Sequence, residues 1–549
     1  MSADLSARGA ERSRAIPALA LFALGLVLYA RALGFEFVDW DDTAQVVENP
    51  WIRSLTLEHL RSIFSQPVLD SYFPLQSVSF MLDYAVWGLD PRGFHAQSLF
   101  WNALNGTLAC WALARLTRRR DLALVAALLW SVHHSHVEAV AWVSARKEVL
   151  STALLLLSLG WFVRAREAPR LDRRAYAASI VCFGLGAAAK LTIGSYALFF
   201  ALSDWTLRGR RTAEREPLWR HVAVALPYAA AALPFVVMNY FVQPTVHDPG
   251  IASGFDALLV RGQAGWRYLW LLLGLLPGQP LYDPPMISHD PLLVAAILFP
   301  LLAPIAAFAF ALRRGCTNVA LALAWLMIGM LAPLVFPLTT FMADRYLYSP
   351  SLGFAWLLAS GIAALAFAPS QPRAQNAAVA LLLTVPLVFW YARLTWYATP
   401  TWRNSETLWA RAVASSRDDR AWGALANALI RKDRRADAER VLLAAPSPSA
   451  GNYLQLASIY AQENRLDEAL RATDQSLAVA RIHPPPRRAD LAQVHFVRGA
   501  VLWLLHRPAD ATEAWQAAIE IDPGQREART ALAAVERGED PGAAIKPAR

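Results

Sequence analysis

Charge is scarce in this sequence. Only 17% of its 549 residues are Asp, Glu, Lys or Arg, where soluble domains carry about a quarter. The deficit lies in roughly the first 400 residues, which excludes a soluble globular body for that part. Cysteine is nearly absent too. Cys110, Cys182 and Cys316 lie in or beside apolar runs without paired spacing, so neither a disulfide framework nor a metal-binding knuckle is expected. No glycine-rich phosphate loop is present, and no HExxH frame.

Long apolar runs fill the space that charge leaves. Runs of about 20 residues match a hydrocarbon core about 30 Å thick. Eleven spans are expected, near 16–33, 95–114, 122–143, 149–163, 175–190, 192–207, 220–243, 291–312, 318–338, 352–368 and 376–398. The run at 266–277 is too short to cross and is expected as an interfacial or re-entrant helix. The net charge of +9 comes from arginines bunched in the short connectors, at 115–120, 164–174 and 208–215. Such clusters mark the inner side of a membrane, so the basic balance points to topology and away from nucleic acid. The first run follows an arginine-bearing start and reads as a retained signal-anchor. This topology puts the amino terminus inside. The segment 37–42, the stretch HHSHVEAVAWVSARKE, the loop 244–290, MADRYLYSP and everything after about residue 400 then fall outside.

The tail differs in kind. From Trp402 it is charged, alanine-rich and helical in period. Small residues recur at the spacing of a tetratricopeptide repeat, at Ala426 and Ala438, Ala457 and Ala469, and Gly499, Ala511 and Ala518. The segment RIHPPPRR (481–488) breaks the period as an insertion or hinge. Three domains are expected: a membrane domain at 1–400, an extracytoplasmic repeat domain at 401–540 and a flexible tail at 541–549. The fold class is all-α, a polytopic membrane bundle of about eleven spans followed by an α-solenoid.

Several clusters carry candidate chemistry, each with a plain alternative. In FVDWDDTAQVVENP (37–50), Asp39, Asp41 and Asp42 surround Trp40 at the end of the first span. Asp42 or Thr43 capping a following helix is one reading; a carboxylate that removes a proton from an acceptor is the other. His133, His134, His136 and Glu138 invite a metal, although their helical placement leaves little room for a tetrahedral set. Polar groups at a span end otherwise line a cavity. Arg146, Lys147 and Glu148 put cations on the outer face, against the positive-inside trend, and either pair locally or meet an anionic head group. Asp344, Arg345 and Tyr346 lie where a span meets the same face, and arginine's fork suits phosphate oxygens. Lys190 is a further outward cation.

The stretches FVDWDDTAQVVENPWI, SYFPLQSVSFMLDYAVWGLDPRGFH, HHSHVEAVAWVSARKEVL and MADRYLYSPSLGF, followed by the repeats, resemble a known family. It is the transmembrane-and-tetratricopeptide-repeat O-mannosyltransferase-like proteins, of the GT-C glycosyltransferase class. The resemblance implies transfer of a mannose-like sugar from a polyprenyl-phosphate carrier to an acceptor hydroxyl outside a bacterial inner membrane. It implies Asp41 or Asp42 as catalytic acid, with Arg345, Arg146 and Lys190 on the donor phosphate. Glu138, His133, His136, Asp344, Tyr346 and Glu148 are implied as supporting residues. A divalent cation is left open, and the repeats are expected to present an acceptor polypeptide. The sequence departs from the family pattern at His134, Leu191, Ser98 and Asn102. Two rival readings remain: a catalytically silent scaffold for envelope assembly, and a transferase acting on a lipid or surface glycan.

Overall fold

The computed structural model describes residues 2–69, 71–168, 170–209, 217–242, 254–283, 287–335, 342–366, 373–482 and 488–542. Regular structure among them is helical throughout, apart from one isolated bridge between Val68 and Ser71. The chain divides into two compact units, Met1–Leu408 and Trp409–Arg549.

In the first unit, six stretches among the described residues are long and apolar enough to cross a membrane. They are Ile16–Gly34, Val143–Glu167, Leu218–Val242, Pro291–Arg313, Thr317–Leu334 and Gln375–Trp402. Pro291–Arg313 shows what surrounds them. It packs against Phe255–Leu272 and Thr317–Val335, yet no residue of its apolar window is buried, and Leu292, Phe299 and Phe310 stand exposed. A helix apolar all round with so much of its surface uncovered requires lipid, so the protein is an integral membrane protein.

Val143–Glu167 is the opposite case, 78% buried. Its helical part, Arg146–Glu167, packs between Pro91–Thr117 and Arg173–Ala189. At roughly 1.5 Å per residue its length is close to a hydrocarbon thickness, and each end is charged. One end carries Arg146, Lys147 and Glu148. At the other, Arg166 pairs with the buried Asp204 at 2.5 Å, and Asp204 bonds His221 Nδ1 at 2.7 Å.

Four more of the expected spans lie on helices that are shorter or more polar: Pro91–Thr117, Arg173–Ala189, Ala197–Gly209 and Ser351–Ala366. Pro91–Thr117 is more polar for a reason visible in its contacts. Ser98 accepts from Arg146 Nε at 3.2 Å, and Asn102 accepts from the Tyr348 hydroxyl at 2.8 Å. Two departures from the family pattern are thus internal hydrogen-bond partners.

The span expected over 122–143 is not one helix. Arg120–Ser131 stops after 12 residues, and the chain continues as short turns at His134–His136, Val137–Ala141 and Val143–Ala145. The short helix expected at 266–277 begins earlier, as Phe255–Leu272.

The second unit stacks helices in sequence order: Asp419–Ile430, Arg435–Leu443, Ala450–Gln462, Leu466–Ile482, Arg488–Leu504, Pro508–Ile521 and Arg526–Glu536. Ala426, Ala438, Ala457, Ala469, Ala511 and Ala518 are all fully buried. A Cβ on Gly499 would meet Trp515 Nε1 at 2.4 Å, so only glycine fits at that crossing. A groove of about 1330 Å³ opens in this unit, lined by Leu454, Gln493, Phe496, Trp503 and Arg526 among others. The expected hinge falls mostly on 483–487, and the expected tail mostly on 543–549; both stretches lie outside the described residues.

Candidate active site

The break after Ser131 builds the site. His133 takes an extended backbone, and its Nδ1 accepts from the Ser135 hydroxyl at 2.9 Å. Its Nε2 donates to the Leu272 carbonyl at 3.0 Å, and His134 Nε2 donates to that of Leu271 at 2.8 Å. Those carbonyls end the helix Phe255–Leu272 and have no partner inside it. His136 Nε2 bonds the Ser351 hydroxyl at 2.9 Å. The histidines therefore cap a helix end and pin the turn. Among the described residues, no group of three or more His, Cys, Asp or Glu is arranged to hold a metal ion.

The pinned turn presents Trp142 and Ser144 to the aspartate loop. Trp142 packs on Trp40 and Trp402, with ring centroids 5.1 and 5.2 Å apart. The Ser144 amide and hydroxyl donate to Asp42 Oδ1 at 2.9 and 2.5 Å, and the Val38 amide donates to Oδ2 at 3.0 Å. Asp42 is 1% exposed. Burial pushes its carboxyl up to about 6, against the hydrogen bonds that favour its ionised form. Asp42 makes no side-chain cap for the turn Thr43–Val47, so the capping reading fails for that residue. Asp41 is different: it is half-buried, and Gln45 Nε2 donates to it at 3.4 Å. Asp39 accepts from the Thr43 hydroxyl, while its amide bonds Ser405.

Three cations converge beside this loop. Arg345 forms an ion pair with Glu138 and also donates its backbone amide to that carboxylate at 2.8 Å. Lys190 forms an ion pair with Glu148. The Tyr346 ring joins the two, 5.0 Å from the Arg345 guanidinium and 5.7 Å from the Lys190 ammonium. Arg345 also lies over Trp142 at 5.3 Å, which ties the cation pair to the tryptophan cluster. Asp344 accepts from the Tyr282 hydroxyl at 2.5 Å. Burial, then the neighbouring Glu138 carboxylate, pushes Asp344 up to about 8.

Arg146 does not join them. It is fully buried and forms an ion pair with Asp83. Its remaining donors go to Ser79, Gln97, Ser98 and the Phe94 carbonyl, at 2.7 to 3.2 Å. Phe80 lies under the guanidinium at 4.6 Å. A guanidinium sealed from solvent among these acceptors is not open to a phosphate. The third cation of the cluster is its neighbour Lys147, in electrostatic reach of Asp41, Arg345, Glu148 and Lys190. The run Arg146-Lys147-Glu148 was legible as a charged cluster, but not which of its cations faces the site.

No protein-family model matches this chain. It is similar to Protein O-mannosyl-transferase TMTC1 of Mus musculus, 32% identical over 149 residues, which are 25% of this chain and 16% of that protein. It is 30% identical to Protein O-mannosyl-transferase Tmtc2 of Drosophila melanogaster over 294 residues, 49% of this chain and 29% of that one. The chain thus spans less than a third of the length of these curated relatives. Among solved structures, ArnT from Cupriavidus metallidurans bound to undecaprenyl phosphate aligns over 92% of this chain and 88% of its own. The TM-score is 0.37 at 13% identity, too low to establish a shared fold. By sequence, parts of the chain are similar to the TMTC protein O-mannosyl-transferases, the family that its motifs resemble.

Proposed function

We propose that this protein is a membrane glycosyltransferase that moves a mannose-like sugar from a polyprenyl-phosphate donor to a hydroxyl of an acceptor outside the membrane. The observation that carries the reading is the convergence of the aspartate loop with Lys190 and Arg345, in a relative of O-mannosyl-transferases. In this reading Asp41 takes the proton from the acceptor hydroxyl. The freed oxygen attacks the sugar's anomeric carbon, and the bond from that carbon to the phosphate oxygen breaks. Its electron pair leaves on the lipid phosphate, which passes from one negative charge to two. Arg345 and Lys190 offset that charge, a stabilisation that needs no nucleotide and no metal-bound water.

Asp42 acts through position. Its carboxylate is consumed by Ser144 and Val38, so it fixes the loop that carries Asp41. Glu138 and Glu148 hold the two cations in place. The helix stack of the second unit is taken as tetratricopeptide repeats, and its groove as the seat of an acceptor polypeptide, since stacked helix pairs form such surfaces. In this reading the site and the repeats face the extracytoplasmic side.

The test is transfer by the purified protein in lipid, with labelled polyprenyl-phosphate-mannose and a pool of secreted peptides. Asp41→Asn is expected to fold and lose transfer. Equal transfer by Asp41→Asn and wild type would remove the base from this mechanism. Transfer to a glycan acceptor alone would move the function to a surface polymer.

A further inference from the structure

Two buried polar atoms of the first unit face one small cavity. Oε1 of Glu148 and the hydroxyl of Thr152 have no hydrogen-bond partner among the described residues, although these residues are only 2% and 1% exposed. They lie four positions apart on the helix Arg146–Glu167, hence on one face. Both line a cavity of about 10 Å³ whose other walls include Lys190, Tyr196, Tyr346 and Ser349. That is room for one water-sized group. Buried polar atoms are nearly always paired, so two unpaired ones at one cavity point to a ligand.

The walls limit what that ligand can be. The other oxygen of Glu148 carries the ion pair with Lys190. That ammonium repels a metal ion, and the carboxylate repels an anion. A neutral group that both donates and accepts fits. It donates to Glu148 Oε1, and its two lone pairs accept from Thr152 and Tyr196. Ser349 donates to the Tyr196 hydroxyl at 2.9 Å, which leaves the phenol's own proton for another acceptor. A Cβ on Gly329 would collide with that hydroxyl, so only glycine leaves room for it. A single hydroxyl has this size and these roles.

We propose that this cavity takes one hydroxyl of the donor sugar. The subsite rests on the function proposed above and names the part of the donor that the protein reads. Its position supplies the source of the hydroxyl. Lys190 and Tyr346 belong both to the cavity and to the cation pair, with the Arg345 guanidinium 5.0 Å from the Tyr346 ring. In the proposed mechanism that pair meets the donor phosphate, to which the sugar is directly bonded. Asp41, which takes the acceptor's proton, is not among the walls. The cavity is too small for a sugar ring, so one hydroxyl enters while the ring stays beside the cations.

The experiment compares wild type, Thr152→Val and Tyr196→Phe in lipid. Thr152→Val exchanges a hydroxyl without a protein partner for a methyl of the same shape, so it is expected to fold. Transfer is measured with polyprenyl-phosphate-mannose and with donors that each lack one hydroxyl of the sugar. Wild type should use one of these deoxy donors at least about tenfold less well in kcat/KM, because Glu148 Oε1 then stays unpaired. For that donor alone, Thr152→Val should shrink the penalty by at least about threefold, since partners in one network couple. If Thr152→Val does not fold, Tyr196→Phe is read by the same criterion. The same fold-loss on every donor, or no loss on any, leaves the cavity to water and overturns the proposal. So does a raised acceptor KM with donor discrimination unmoved, which gives the hydroxyl to the acceptor. If no form transfers the sugar, the function proposed above fails, and thermal unfolding decides on the subsite. Polyprenyl-phosphate-mannose should then stabilise wild type more than polyprenyl phosphate does, and Thr152→Val should lose that difference. No difference in wild type, or an equal one in the variant, overturns it.

Discussion

Oδ1 of Asp42 receives both the amide and the hydroxyl of Ser144, a residue 102 positions further along the chain. This one contact binds the aspartate loop to the broken helix that follows Ser131. It also distinguishes two neighbouring aspartates, since Asp42 has both oxygens occupied while Asp41 beside it is half-buried; in the proposed mechanism the first positions the loop and the second reacts.

That division gives unlike phenotypes for Asp41→Asn and Asp42→Asn. Hydrogen bonds to a charged group contribute about 1.5–3 kcal/mol each, so Asp42→Asn should lower stability by an amount of that order and reduce transfer with it. Asp41→Asn removes a general base, a loss of about 10²–10⁴ in rate, with the unfolding temperature nearly unchanged. Thermal unfolding in lipid beside initial rates distinguishes the two. Ser144→Ala should resemble Asp42→Asn in weaker form.

Arg146 and Lys147 should separate in the same way. Arg146→Met leaves Asp83 charged and alone inside the protein, and breaking a buried pair costs about 3–5 kcal/mol. The expected result is a large fall in unfolding temperature, with the donor KM of whatever remains folded unchanged. A raised donor KM with stability intact would put Arg146 on the phosphate after all.

The two residues also show where sequence reading stops. Adjacent positions on a helix point about 100° apart, so a run such as Arg146-Lys147-Glu148 announces charge without saying which member faces inward. The answer depends on Asp83, 63 positions away and the lone charged residue of the helix Pro74–Trp87. A lone acid within a largely apolar helix is itself a signal that a partner is buried nearby. The aspartate loop, Glu138 and Arg345 were legible because each lies in a long motif. The break at Ser131 was not, because Val137 and Ala139–Trp142 restore an apolar window after the histidines. Hydropathy averages across a polar turn that the backbone does not.

Asp344 makes the pH dependence of stability specific. In the folded protein it holds its proton up to about pH 8, against an ordinary value of 3.8. A proton bound more tightly in the folded state makes stability fall as pH rises between those values. Asp42 contributes with the same sign, but only up to about pH 6. Below about pH 6.5 the buried His95, His133, His134 and His136, held neutral by burial, act with the opposite sign, so the decline is expected between about pH 6.5 and 8. Asp344→Asn should flatten it there, as read from unfolding temperature against pH. An unchanged slope between about 6.5 and 8 would mean that Asp344 is ionised throughout.

The repeat unit offers a test that does not touch the site. Gly499 lies against Trp515, whose indole Nε1 donates to the Phe496 carbonyl at 3.2 Å. A methyl group at 499 would sit 2.4 Å from that nitrogen, so the fully buried ring must move or the helices must part. Overpacking of this kind costs about 1–3 kcal/mol, and displacing the ring also leaves the Phe496 carbonyl without its donor. Gly499→Ala should therefore lower the unfolding temperature of the second unit. Trp515 lies outside the lining of the groove, whereas Phe496 belongs to it, so disturbance of the crossing reaches the groove through that residue. If the groove holds the acceptor polypeptide, transfer to long peptides should fall while transfer to a minimal hydroxyl acceptor stays. Equal losses on both acceptors would separate the repeats from acceptor choice.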